Sequence, residues 1–502
     1  MNEGTKNVGM SRRSFMKGSS AAVLGGIVAS QTRAHAVDRS RPNILIIMTD
    51  QQNIDTIAAY RDFFGHPAYG CDWVHTPNLD RLVRRGVSFM ESHSPNPVCS
   101  PGRSACFTGR PTIENAVVVN NVGIDRNVPN MGQWFEENSE YRRIYCGKWH
   151  AGGMWNYPTV EGDRKIPGFE TLPAGSKGTG DFADYQVSCS VEAFLRNYNE
   201  PEPFLLVAGL MNPHDICHLN IALAGTEATP EEDTFRLGDK LPPLPPNFEY
   251  DFDDPTGGPY RQFNEMQWRN TTYDYYRMVE KVDADVGRMM DAVDDRDDDT
   301  IIIFTSDHGE GIGRHQRVQK WHPFEHSVKV PLILSCPGRI EEGAIDSSHL
   351  VSGLDIMSTV CDYAGIPSPP HDRGRSLRPM LEGDTPEQWH DNAYIELQVT
   401  GRIIRTEQYK YCTFYEYSRD EARPFVRKID GFHTQFEPGK GHTYRENPVK
   451  LLFNIKEDPW ELRNLSLESQ YADVMADHEK ILREQWEARL IPGTWFVRGN
   501  PA

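Results

Sequence analysis

Nowhere in its 502 residues does the chain hold the roughly 20 consecutive apolar residues that a helix needs to cross a bilayer. It also lacks a CxxC pair or any tight cysteine framework. The nine cysteines (Cys71, Cys99, Cys106, Cys146, Cys189, Cys217, Cys336, Cys361 and Cys412) are scattered, which excludes a zinc knuckle and a small disulfide scaffold. Positive charge is scarce: 53 Lys and Arg face 72 Asp and Glu, a net charge of −19. That excess argues against nucleic acid or an anionic membrane as partner. Repeats and low-complexity tracts are absent. Gly309, Gly311 and Gly313 do not spell the dinucleotide fingerprint, and His478-Glu479 lacks the second His of a zincin.

A small anionic substrate is still compatible with this charge. Global charge is screened beyond roughly 8 Å, whereas one Lys at about 4 Å from a bound anion contributes up to ~4 kcal/mol at an effective dielectric near 20. What the chain does contain begins with an address. Ser11-Arg12-Arg13-Ser14-Phe15-Met16-Lys17 is a twin-arginine pattern, followed by a weakly apolar run (Ala21 to Ala29) and by Ala34-His35-Ala36, a small-residue cleavage site. Residues 1–36 therefore read as a twin-arginine signal peptide, with the export machinery as a partner and a periplasmic or secreted destination. Removing those residues, which hold five basic and one acidic side chain, takes the net charge to −23. An odd cysteine count in an exported protein leaves at least one unpaired, and Cys99 is the candidate.

The length suggests two domains. Ile44 to Met48, Phe204 to Ala208, Ile301 to Phe304 and Val330 to Leu334 are continuous apolar runs, which suit strands buried on both faces of a parallel sheet. Three of them end in polar residues: Thr49-Asp50-Gln51, Asn212-Pro213-His214 and Thr305-Ser306-Asp307-His308. Ligands bind beyond the carboxyl ends of such strands. Thr76, with Pro77 at the first helical position, opens a helix through Leu79, Leu82 and Val83. Thr272 to Val293 has helical periodicity, and its aromatics belong to the core. Thr226 to Gly258, rich in proline and acid, reads as a surface excursion. After about Gly383 alternating stretches (Arg402 to Tyr411, Lys450 to Ile455) and a closing helix (Tyr471 to Leu490) indicate a smaller domain. The expected units are 1–36, a catalytic α/β domain over 37–385 and an antiparallel α+β subdomain over 386–502.

The sharpest chemical signal is Cys99-Ser100-Pro101-Gly102-Arg103, continuing to Thr108-Gly109-Arg110. Cys-x-Pro-x-Arg is the recognition core of enzymes that oxidise cysteine to formylglycine, and here the chain resembles the type I sulfatases of the alkaline phosphatase superfamily. Gly102 stands where Ser or Ala is usual, and Cys106-Phe107 where an aliphatic pair is usual. Further resemblances follow in order: Asn43 to Gln51, Tyr145 to His150, Asn212-Pro213-His214, Phe304 to Glu310, Lys320 with Glu325 and Val330-Pro331, and Leu452 to Leu465.

The resemblance implies an alkaline-phosphatase-like fold: a mostly parallel sheet sandwiched by helices, with the C-terminal α+β antiparallel subdomain. It implies a maturase that converts Cys99 to formylglycine (3-oxoalanine), an anionic sulfate-ester substrate, and one divalent cation on Asp50, Gln51, Asp307, His308 and the residue at 99. The mostly oxygen donors fit hard Ca²⁺ or Mg²⁺ better than zinc. The family often has Asp at Gln51 and Asn at His308, and the lower charge here admits Mn²⁺. Arg103, Lys148, His150 and Lys320 are expected around the sulfate, with His214 at the leaving group and His150 as base. Trp155, His218, Arg314, Arg317 and His322 either line a substrate pocket or do not; spacing leaves both open. The implied reaction is hydrolysis of a sulfate ester, on a sulfated carbohydrate for an exported enzyme, with choline sulfate or a small aryl sulfate also open. A phosphonate monoester or phosphodiester hydrolase, and a glycan-binding protein with a dead site, are the alternatives.

Overall fold

A computed structural model of the protein describes residues 41–65, 69–151, 166–174, 179–219, 240–250, 252, 263–296, 298–384, 386, 388–398, 401–414 and 449–491. Residues 1–36, the expected signal peptide, lie outside them, as do Trp155 and residues 226–239. In chain order the strands are β1 (Asn43–Asp50), β2 (Gly86–Phe89), β3 (Ser92–His93), β4 (Arg142–Gly147), β5 (Glu170–Thr171), β6 (Phe204–Pro213), β7 (Thr300–Ser306), β8 (Leu332–Ser335), β9 (Ala344–Asp346), β10 (Val351–Ser352), β11 (Asn392–Leu397), β12 (Gly401–Thr406), β13 (Tyr409–Phe414) and β14 (Val449–Asn454).

Eight strands form one sheet in the order β5-β4-β6-β1-β7-β8-β2-β9, and only β8 runs against the rest. Every residue of β1, β6 and β7 is buried, as continuous apolar runs require when both faces are covered. Alternate residues of β1 serve different layers. Ile44, Ile46 and Met48 join Phe107, Met131, Phe135, Met357 and Val360 on one face. Leu45 and Ile47 join Leu79, Val187, Val191, Val282, Val286 and Met289 on the other. Helices Cys99–Thr108, Met131–Asn138 and Asp355–Ala364 thus cover one face, and helices Pro77–Arg84, Gly180–Asn197 and Glu265–Asp294 the other. This is the expected α/β sandwich.

The C-terminal sheet is antiparallel, in the order β11-β12-β13-β14. One face packs Ile395, Ile403, Cys412, Leu451 and Phe453 on Phe324 and Val328 of the larger layer. Its other face holds Tyr394, Ile404, Tyr411 and Leu452 against Leu465, Leu482 and the last helical segment. That contact places the small sheet directly behind the loop carrying Lys320.

Local differences from expectation have physical causes. The long helix begins at Glu265, not Thr272, because Asn264 and Gln267 form a reciprocal capping box. Thr76 does not cap its helix with its side chain. Asp283 of the long helix does this instead, accepting from the N–H groups of Asn78 at 3.0 Å and Leu79 at 2.7 Å. The closing helix is regular only over Ala472–Lys480 before a π turn at Ile481–Trp486. The described part of the proline-rich stretch is only partly at the surface, where Lys240, Pro243, Pro246 and Glu249 are exposed. Leu241, Pro242 and Pro245 are buried, and Arg269 donates to the carbonyls of Pro242 and Leu241 at 2.9 and 3.0 Å. Prolines have no N–H, but their carbonyls still anchor the chain. None of the nine cysteines forms a disulfide.

Candidate metal and catalytic site

The site lies where β1, β4, β6 and β7 end. Parallel pairing of Thr49 with Ser306 sets the turns after β1 and β7 side by side. Gln51 N–H then donates to Asp307 Oδ1 at 3.1 Å. Gln51 adopts left-handed backbone, φ 75°, and its carbonyl accepts from the Tyr275 hydroxyl at 2.8 Å. Ser306 Oγ accepts from Gln52 N–H and donates to His308 O, both at 2.9 Å. The two turns are cross-bonded into one unit.

Cys99 is the first residue of a ten-residue helix that is buried throughout. Its Sγ lies 3.2 Å from His308 Nε2 and 3.7 Å from Asp50 Oδ1. Gly102 has a reason to be glycine here: a Cβ would sit 2.7 Å from Asp307 O and 2.9 Å from Asn96 O. The helix approaches the Asp307 turn more closely than any side chain allows.

Arg103 is fully buried and points between the two acids. Its Nε donates to Asp307 Oδ2 at 2.7 Å, one terminal nitrogen to Asp50 Oδ2 at 3.3 Å, and the other to Lys148 O at 2.9 Å. Lys148 Nζ is 2.5 Å from the same Asp50 Oδ2. Both Oδ2 atoms therefore face cations. The remaining oxygens, Asp50 Oδ1 and Asp307 Oδ1, face His308 Nε2 at 3.9 and 3.7 Å. His308 Nδ1 lies 2.9 Å from Gly309 O, where it donates, so that Nε2 is left with a lone pair aimed at the carboxylates.

The electrostatics follow from burial. Lys148, His214 and Arg103 hold the Asp50 carboxyl well below its ordinary range, although burial opposes them. Burial and the adjacent Asp50 push Asp307 up to about 7, against His308 and Arg103. Burial and Asp50 raise the Cys99 thiol, but Lys320 and Lys148 outweigh them and bring it down to about 7. Burial lowers His150, and burial with Lys320 and Lys148 lowers His214 strongly.

Ligand atoms of Asp50, Cys99, Asp307 and His308 lie within 4.8 Å of one another, all buried. Two inward carboxylate oxygens, an unprotonated imidazole nitrogen and a like-charge strain that raises Asp307 make a donor set fitted to a divalent cation. Gln51 is tied elsewhere as well. Its Oε1 accepts from Lys320 Nζ at 2.5 Å, while its Nε2 donates to Glu310 and lies 3.1 Å from Cys217 Sγ.

The other expected residues converge. His150, with φ 46°, hydrogen-bonds Asn121 Oδ1 at 3.1 Å and is within reach of the Cys99 thiol. His214 Nε2 is 4.0 Å from Asp50 Oδ1. Of the pocket-wall residues, His218 is exposed beside His214, with ring centroids 6.2 Å apart. Arg314 instead pairs with Asp55, and His322 packs inside against His326. Sequence reasoning did not single out Tyr145, whose hydroxyl donates to Lys148 O at 2.5 Å, nor Asn121, Tyr275, Cys217 or a role for Glu310. Only Glu310 had a signal, an acid two residues past His308.

A profile of the sulfatase family matches residues 42–366, and one described as N-sulphoglucosamine sulphohydrolase, C-terminal, matches residues 313–423. A Δ4,5-hexuronate-2-O-sulfatase of Bacteroides thetaiotaomicron is 28% identical over 483 residues, covering 89% of each chain. A solved 2-O glycosaminoglycan sulfatase superposes with a TM-score of 0.70 at 24% identity, over 90% of this chain and 94% of that one. A phosphonate monoester hydrolase of Agrobacterium radiobacter superposes with a TM-score of 0.65 at 22% identity, over 88% and 95%. At these identities the two structures establish the fold.

Proposed function

Because the chain belongs to the type I sulfatase family of the alkaline phosphatase superfamily, and is a sulfuric ester hydrolase, we propose that it hydrolyses sulfate esters of carbohydrates through a formylglycine made from Cys99. The observation that carries this reading is the position of Cys99 Sγ, 3.2 Å from His308 Nε2 and ringed by Asp50, Lys148, Lys320 and His150. Sulfated sugars are the substrates named for the relative at 28% identity, and the same class is proposed here.

Asp50, Asp307 and His308 would hold the cation, with Gln51 Oε1 and the residue at 99 as further donors; Ca²⁺ would suit the oxygen-rich set, with Mg²⁺ or Mn²⁺ as substitutes. A bound cation supplies Lewis acidity to a sulfuryl oxygen. If Cys99 is matured to formylglycine, its hydrate would supply two hydroxyls on one carbon, one as a nucleophile toward sulfur and one for the release of sulfate. Lys148 and Lys320 stabilise the charge spreading over the sulfuryl oxygens, a role for which one preorganised donor contributes about 10²–10³ in rate. His214 gives a proton to the departing alcohol oxygen; burial, with Lys320 and Lys148, depresses it, and a bound anionic ester offsets the share of the two lysines. His150 takes the proton of the second hydroxyl, and Asn121 holds its ring. Arg103 meets no substrate in this account; it holds both carboxylates and the Lys148 carbonyl in place.

The domain limits proposed are a signal over 1–36, the catalytic unit over 37–385 and the α+β subdomain over 386–502, with export by the twin-arginine route and a formylglycine-generating maturase as partner. Two measurements test the reading. Mass analysis of the Cys99 peptide, after expression beside a maturase, should find the aldehyde; a fully active enzyme with an intact thiol overturns it. Turnover of an aryl sulfate should exceed that of an aryl phosphodiester; the reverse order assigns the chain to phosphodiester chemistry.

A further inference from the structure

One buried carboxylate beside the site has no part in the chemistry above. Glu310 is completely buried at the end of the turn that begins with Asp307. Its carboxylate accepts from Gln51 Nε2, from the Gln319 N–H, and from the Ile312 N–H at 3.4 Å. Each of these partners is an N–H donor, so the group acts as an acceptor at both oxygens. Its backbone is clamped as well. Glu310 N–H donates to Asn53 Oδ1 at 2.5 Å, and Asn53 Nδ2 returns a bond to Glu310 O at 3.0 Å.

Between Glu310 and Lys320 stands the Gln51 amide, and only one orientation of that amide is allowed. Lys320 can only donate, and its Nζ is 2.5 Å from Gln51 Oε1. Flipping the amide would set its NH₂ against the ammonium and its oxygen against the carboxylate. Two charge-assisted hydrogen bonds would become two repulsive contacts. The same carboxylate also holds the N–H of Gln319, the residue immediately before Lys320, whose backbone is left-handed at φ 70°. Glu310 therefore grips Lys320 twice, through the Gln51 side chain and through its own backbone.

We propose that Glu310 is a positioning residue for Lys320: by locking the Gln51 amide with its oxygen outward and pinning Gln319, it fixes the ammonium in the anion-binding site beside Cys99. The proposal rests on the reading of that site as a sulfate-ester site, but it can be judged separately. Glu310→Gln nearly preserves volume and removes the acceptor-only character: its NH₂ must then face either the Gln51 NH₂ or the Gln319 N–H, and one of the two grips on Lys320 is lost.

The test measures inorganic sulfate binding by calorimetry in the metal-loaded Cys99→Ala protein, and kcat and KM for an aryl sulfate in the matured enzyme. Glu310→Gln should weaken sulfate binding roughly tenfold, the worth of one charge-assisted hydrogen bond. In the matured enzyme it should lower kcat as well as raise KM. In a Lys320→Met background the same substitution should change sulfate affinity less than about twofold, because the residue it positions is gone. Equal losses in both backgrounds would make Glu310 a structural residue and overturn the proposal. If Glu310→Gln does not fold, Glu310→Asp, which keeps the charge but withdraws the carboxylate by one methylene, carries the same prediction: a loss of sulfate affinity that vanishes with Lys320→Met, and additive losses again overturn it. A wild-type protein that binds sulfate with this coupling, yet cleaves no sulfate ester, would refute the function and leave the positioning role standing.

Discussion

Arg103 Nε and Asp307 Oδ2 are 2.7 Å apart with neither side chain exposed to solvent, and the same guanidinium reaches Asp50 Oδ2 at 3.3 Å. Together with Lys148, this guanidinium neutralises the outer edges of two carboxylates and leaves their inner oxygens facing His308 Nε2. That arrangement explains how two buried acids tolerate proximity, and why a further cation is welcome beside them.

Removing Arg103 should accordingly destabilise the fold. Breaking a buried pair strands a charge, at about 3–5 kcal/mol. Urea unfolding of Arg103→Met in chelator should show a loss of that order, partly restored by Ca²⁺. A loss under about 1 kcal/mol would mean the acids are held by something else.

Metal binding should depend on pH in a defined direction. Burial and Asp50 push Asp307 up to about 7, so below that pH the acid holds a proton that the cation must displace. Affinity should fall as pH drops through about 7, approaching tenfold per unit, and level off above it. Calcium titrations at about pH 5.5 and about pH 8 measure this, and equal affinities at both would contradict it. Asp307→Ala should hold little metal by elemental analysis at either pH.

His214→Ala should discriminate between leaving groups. General acid assistance is worth about 10²–10⁴ where the alcohol is a poor leaving group. The loss in kcat should therefore be large for a sugar sulfate and small for nitrophenyl sulfate. Equal losses on both would remove His214 from the proton-transfer role.

Cys99→Ser separates the two hydroxyls of the proposed nucleophile. A serine has one oxygen, so after attack no neighbour on the same carbon can expel sulfate. Phenol release from an aryl sulfate should stop at about one equivalent, with the sulfate retained on the protein. Sustained turnover without a sulfated intermediate would favour a water-assisted second step.

The sequence by itself determined the central strands and which residue types end them. Ile44 to Met48, Phe204 to Ala208 and Ile301 to Phe304 are local patterns, and a fully apolar run has one economical place, a sheet covered on both faces. The polar residues after these runs follow from chain continuity, so Asp50, His214, Asp307 and His308 could be assembled at one edge from spacing alone. Local pattern could not tell that Asn264 would lengthen a helix backward, or that Arg269 would draw the proline stretch inward. Only the tertiary structure decided which way the site's side chains point. Arg103 and Asp307 are separated by 204 positions, and Lys320 and Gln51 by 269. The division of Oδ1 from Oδ2, the role of Arg103 as a clamp, and the single orientation of the Gln51 amide arise from donors and acceptors meeting across those distances. Such pairings depend on three-dimensional packing, because a hydrogen bond constrains atoms, and a residue's type fixes only what its atoms are able to do.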